Sequence, residues 1–157
     1  MTIHAKKVFI FTDGGSRGNP GPSAIGVVLK DETGKVIDQV SQYIGSGTNN
    51  VAEYMAVVHG LISASNLGYK NISLFMDSQL IARHLEGSYK INDDTLKKYY
   101  GIIKALFKGF NSIEITEIPR EQNKEADSLV NQALDSAMKN NVNFNPAHAR
   151  AATRIIK

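Results

Sequence analysis

Four carboxylates stand where apolar runs give way to turn or helix-start residues: Asp13, Glu53, Asp77 and Asp127. Brought together, they would repel one another and raise one another's pKa, and no histidine or lysine is placed by the sequence to offset four acids. A hard divalent cation is the natural counterpart. Magnesium takes oxygen ligands and keeps positions open for water and phosphate oxygens. Two such ions about 4 Å apart would activate water on one side of a phosphodiester and stabilise the departing oxygen on the other. The chemistry indicated is phosphoryl transfer or hydrolysis. Singly, each acid has a plainer use: Asp13 and Asp77 as turn residues, Glu53 as a solvated helix acid, Asp127 as a favourable charge at a helix start.

The elements that must position them follow from periodicity. Residues 8–11 are apolar without alternation, which predicts a strand covered on both faces. Gly14, Gly15, Gly18 and Gly21, with Pro20 and Pro22, predict a turn directly behind Asp13 that lets backbone approach a ligand. Residues 24–29 and 36–44 read as a hairpin of two further strands. Val51, Met55, Val58 and Ile62 fall at helical spacing, predicting a helix over 48–67 capped by Asn49 or Asn50 and followed by Gly68. Residues 72–76 form a short strand ending at Asp77. Ser78 caps a brief helix to about residue 86, and Asp93 or Asp94 caps a longer one to about residue 108. Residues 113–118 are the last strand, stopped by Pro119. Asn123 is the expected cap of a final helix striped by Ala126, Val130, Ala133 and Ala137.

This order predicts an α/β fold: a five-stranded mixed sheet of order 3-2-1-4-5 with strand 2 antiparallel, flanked by helices. If strand 4 returns beside strand 1 by a right-handed crossover, strands 1, 4 and 5 deliver their ends to one edge, and two helices start there. The chain leaves strand 1 in opposite directions across the sheet, and that switch point is where open α/β sheets place their crevice. All four acids converge on it.

At 157 residues and 42% hydrophobic content, the chain fits one domain. No run of about 18 apolar residues and no signal-peptide pattern occurs, so a soluble, cytoplasmic protein is expected, without a membrane partner. The absence of cysteine excludes disulfides and cysteine-ligated zinc. The net charge of +3 sits in the tail: Lys139, Arg150, Arg154 and Lys157 occur in the last nineteen residues, which contain no acid.

Thr12-Asp-Gly-Gly-Ser16, Thr48-Asn-Asn-Val-Ala-Glu-Tyr54, Met76-Asp-Ser-Gln79 and Arg120-Glu-Gln-Asn-Lys-Glu-Ala-Asp127 resemble the four sequence blocks of type 1 ribonuclease H, in order. The resemblance runs from about residue 6 to 138. It implies the ribonuclease H-like fold, with a catalytic domain over 1–139 and a basic tail over 140–157. It implies that Asp13, Glu53, Asp77 and Asp127 are catalytic and bind two Mg2+ ions, Mn2+ being an alternative. The activity implied is hydrolysis of the RNA strand of RNA–DNA hybrids to 5′-phosphate and 3′-hydroxyl ends, with no small-molecule cofactor and a monomer as the default state. Asn19, Asn49 and Asn50 match positions that contact the RNA strand, and short amides suit a 2′-hydroxyl, which both donates and accepts. Thr48 matches a position that helps hold a DNA phosphate.

Two departures from well-known members stand out. The loop before Asp127 is short, 118–123, and lacks the histidine many members carry; Arg120 is the nearest candidate to contact the scissile phosphate, the alternative being a plain place in a solvated turn. His148 would reach the site only if the tail folded back, and His4, His59 and His84 read as surface or partly packed residues. Only about seven residues, 87–93, separate two helices where some members insert a basic helix and loop. The tail is thus either a nucleic-acid arm or an apolar attachment through Phe144, Ile155 and Ile156. Rival readings are an integrase-like nuclease of the same fold, disfavoured by the Asn-Asn-x-Ala-Glu block, and a non-catalytic hybrid-binding module, disfavoured by four acids facing phosphates. A nucleotide-binding loop is weaker still, since neither glycine-rich phosphate motif occurs.

Overall fold

The computed structural model describes residues 6–140. Its elements are β1 (Lys7–Ser16), β2 (Gly21–Lys30), β3 (Val36–Gly47), α1 (Asn49–Asn66), β4 (Asn71–Met76), α2 (Gln79–Glu86), α3 (Asp94–Phe107), β5 (Ser112–Glu117) and α4 (Lys124–Asn140), with one 3-10 turn at Arg120–Gln122. The strands lie in the order β3-β2-β1-β4-β5. β2 runs antiparallel to β1 and β3, and β4 runs parallel to β1 and β5, as the element order predicts. The expectations for the 140–157 tail, His148 and His4 concern positions outside the described residues, except for Asn140 at the end of α4.

β1 differs from expectation in two ways. It does not end at Asp13: Gly14, Gly15 and Ser16 continue the ladder opposite Ile25, Ala24 and Ser23, so the turn begins at Arg17. Nor is it equally covered on both faces. Val8, Ile10 and Thr12 are buried while Phe9 and Phe11 are half-buried, because α1 covers the first face fully. The outer rings associate with each other's neighbours instead, Phe11 stacking on Phe75 with centroids 4.8 Å apart. The strand enclosed on both sides is β2, packed by α1 on one face and α4 on the other.

Small residues set how close those helices come. A Cβ at Gly26 would overlap the Ala126 carbonyl oxygen, and one at Gly60 would lie 2.8 Å from Ile10 Cγ2. Gly26→Ala should therefore push α4 off β2 and cost about 1–3 kcal/mol, readable as a lowered urea midpoint at unchanged slope. α1 turns a different face inward than its larger residues suggest: Ala52, Tyr54, Ala56, Val57, Leu61 and Ala64 are buried, while Val51, Met55 and Val58 pack at the margin and Ile62 is exposed. The helix meets both the sheet and α3, so its buried arc is wide, and alanines serve best against the strands. Its cap is Thr48, whose hydroxyl accepts from Val51 N, rather than Asn49 or Asn50. Ser78 and Asp93 cap α2 and α3 as expected. Along α4 the stripe is completed by Leu134, with Ala137 only half-buried.

Candidate active site

Parallel pairing between β1 and β4 stops at Thr12 and Met76, and both chains continue one residue into a carboxylate. Asp13 stays anchored on its other side by β2, opposite Gly26, so its backbone is fixed while its side chain faces an open edge. Glu53 arrives from the second turn of α1. Gly14 makes that approach feasible, since a Cβ there would lie 2.5 Å from Glu53 N. Ligand oxygens of Asp13, Glu53 and Asp77 all lie within 4.8 Å of one another. Asp127, in the first turn of α4, stands beside Asp13 and helps to raise its pKa. The four acids line one open pocket of about 400 Å3, in two groups: three close together, and Asp127 beside them on α4.

The electrostatics follow from that crowding. Burial, then the Asp77 charge, then the Asp127 contact push Asp13 up to about 8. Burial raises Glu53 to about 7, with Asp77 adding to the rise and a hydrogen bond from the Ser78 hydroxyl opposing it. Glu53 Oε2 is buried without a hydrogen-bond partner. Such an arrangement binds protons or a cation.

The substrate-contact candidates separate. Asn49 and Arg120 line the pocket; Thr48, Asn50 and Asn19 do not. Asn49 Oδ1 accepts from Ser16 N at 2.8 Å, and Asn19 Oδ1 accepts from Asn49 N at 3.1 Å, so the first two-glycine strand end, the turn and α1 are joined. Arg120 is 80% exposed, with its guanidinium 3.8 Å from Asp127. Sequence reasoning missed Arg17 and Asn131, which also line the pocket. Arg17 pairs with Asp135 at 2.6 Å, and Asn131 donates to the Asp127 carbonyl at 3.2 Å. The i, i+4 spacing of Asp127, Asn131 and Asp135 on one helix was the available signal.

Asn123 stands at the cap position of α4, its carbonyl accepting from Asp127 N, but its side chain does not cap the helix as expected; it turns into the interior. His84, read as surface or partly packed, is in fact 5% exposed, its Nδ1 2.7 Å from the Tyr54 hydroxyl. Burial lowers its pKa and so favours the neutral ring, which shares one hydrogen bond with that hydroxyl through Nδ1. Tyr54→Phe would leave the ring nitrogen unpaired in the core, and a loss of about 1–3 kcal/mol is expected in thermal or urea unfolding.

The sheet order and the acidic switch point define a ribonuclease H-like domain. Residues 11–133 match the family described as reverse transcriptase-like. The chain is 41% identical to ribonuclease HI of Halobacterium salinarum over 131 residues, covering 83% of this chain and 66% of that protein. It is 42% identical to a bifunctional protein of Mycobacterium tuberculosis over 132 residues, covering 83% of this chain and 36% of the relative. Among solved structures, LC11-RNase H1 in complex with an RNA/DNA hybrid superposes with a TM-score of 0.80 at 42% identity, covering 83% of this chain and 99% of that one. The chain belongs to the reverse transcriptase-like family, in its ribonuclease H branch.

Proposed function

We propose that the chain is an endoribonuclease that hydrolyses the RNA strand of RNA–DNA hybrids, leaving 5′-phosphate and 3′-hydroxyl ends. The observation that carries the proposal is the convergence of Asp13, Glu53 and Asp77, from three distant segments, to within 4.8 Å. The hybrid complex of LC11-RNase H1 supports the substrate.

The donor set suits a hard divalent cation: carboxylate oxygens alone, two of them on groups that hold protons well above the usual range, and one buried oxygen with no partner. Asp13, Glu53, Asp77 and Asp127 would hold two ions, Mg2+ first and Mn2+ as a substitute. Ions bound there would neutralise the clustered charge, polarise the phosphodiester and acidify the attacking water. Asn49 has committed its side-chain carbonyl to Ser16, so it meets a 2′-hydroxyl as a donor, with Asn19 bonded to its backbone N–H and Asn50 next in the chain. Thr48 accepts from Val51, which leaves its hydroxyl hydrogen for a DNA phosphate. Arg120, exposed at the rim, reaches the scissile phosphate. The catalytic domain is residues 1–139, with the basic 140–157 tail adding counterion-release affinity for the hybrid. All four acids come from one chain, so the site needs no second subunit and a monomer suffices.

Product chemistry tests this reading. With Mg2+, the cleaved RNA should carry 3′-hydroxyl ends that a polymerase extends directly. Products ending in a 2′,3′-cyclic phosphate would show the RNA's own hydroxyl attacking, and would overturn hydrolysis by metal-assisted water.

A further inference from the structure

Asn123 is 2% exposed and lies at the start of α4, where an asparagine ordinarily accepts a hydrogen bond from a backbone N–H of the first helical turn. Here the carbonyl Oδ1 is buried with no partner. Leaving such an atom unpaired costs about 1–3 kcal/mol, and the forgone cap adds to that. What the side chain gains is two bonds from one amide group: Nδ2 donates to the Thr12 carbonyl at 2.9 Å and to Asp77 Oδ2 at 3.0 Å. Both acceptors are carbonyl or carboxylate oxygens, so the amide orientation is fixed by its partners.

We propose that Asn123 is a positioning residue for the acidic cluster, holding Asp77 in its metal-binding orientation and joining the segments that carry Asp13 and Asp127. The inference rests on the functional reading given above. Its logic is geometric. Thr12 is the residue before Asp13 and the last in register with β4, so the bond to its carbonyl fixes the end of the parallel ladder. The bond to Oδ2 occupies one oxygen of Asp77, stops the carboxylate rotating, and leaves its other oxygen to face the cluster. The Asn123 carbonyl accepts from Asp127 N at 3.1 Å, which sets where α4 begins. The side-chain amide and the backbone carbonyl of one buried residue thus bridge the carriers of three acids. Outer partners of this kind orient metal ligands, and their loss typically costs 10–100-fold in metal affinity or activity.

The test compares wild type, Asn123→Ala and, as a control for plain destabilisation, Leu61→Ala, a core change on α1 remote from the cluster. Four quantities are read: Mn2+ affinity by calorimetry without substrate, KM and kcat on a hybrid, and the melting temperature in chelator. The expected result is a 10–100-fold weaker Mn2+ affinity and lower kcat for Asn123→Ala at unchanged KM, whereas Leu61→Ala melts earlier but binds Mn2+ as wild type does. Asn123→Ser, which keeps one donor, should fall between; it also carries the test if the alanine variant does not fold. Wild-type Mn2+ affinity and kcat in both Asn123 variants, with only a lower melting temperature, would overturn the inference. Failure of wild type itself to bind Mn2+ would instead overturn the functional reading on which it rests.

Discussion

Asp77→Asn is expected to lower kcat for hybrid cleavage by on the order of 1,000-fold or more, with the fold intact and hybrid affinity kept. Asp77 is one of three carboxylates within 4.8 Å and the one whose second oxygen is already committed to Asn123. The substituted amide can present only its oxygen to the Asn123 donor, which turns its NH2 group toward Asp13 and Glu53. A donor then stands where a negative oxygen had been, and the cation site loses both a ligand and a charge. Steady-state kinetics at saturating hybrid, with binding followed separately by anisotropy in chelator, checks the split. A weakened affinity with unchanged kcat would assign Asp77 to substrate binding alone.

The second large effect concerns stability without metal. Asp13 at about 8 and Glu53 at about 7 both hold protons more tightly in the folded chain than the usual carboxylate does. Between about pH 4, where the unfolded chain ionises, and pH 7–8, the folded state therefore carries more bound protons, and metal-free stability falls as pH rises. Asp13→Asn removes the larger share of this penalty. With the pocket open to solvent, the gain at pH 8 in chelator is expected to be on the order of 2 kcal/mol, shrinking to nothing near pH 4. Buried neutral His84 acts oppositely, adding stability as pH rises, but only up to about 6.5, where the unfolded imidazole ceases to be charged. Urea midpoints from pH 4 to 9, with chelator and with Mg2+, separate the two contributions. Mg2+ should restore the wild type at pH 8 and leave Asp13→Asn nearly unmoved. A variant less stable than wild type at pH 8 in chelator would mean that the cluster is not under electrostatic strain.

The topology was legible because each period change in the sequence is strong and the connections leave few alternatives: a hairpin, then crossovers that return strands to one edge. The same rule brought the acids together before any geometry was known. What escaped depended on which way individual side chains turn. Asn123, Thr48 and Asn49 all have capping chemistry and stand near helix starts. Only Thr48 caps, because Asn49 and Asn123 find better partners in Ser16 N, and in Thr12 O and Asp77. His84 looked peripheral because its buried hydrogen-bond partner is Tyr54, thirty positions away, and no local pattern encodes that pair. The extension of β1 past Asp13 was hidden by glycines that read as a turn, yet Gly14 is glycine because α1 backbone lies against it.

The most direct test uses one end-labelled sequence prepared as RNA–DNA, RNA–RNA and DNA–DNA duplexes, each incubated with wild type in Mg2+ or chelator. Internal cuts confined to the RNA strand of the hybrid, and lost in chelator, are the expected result. A hybrid that is bound but left whole in Mg2+ would contradict the enzymatic reading, and cutting of the DNA duplex would point instead to an integrase-like activity on the same fold.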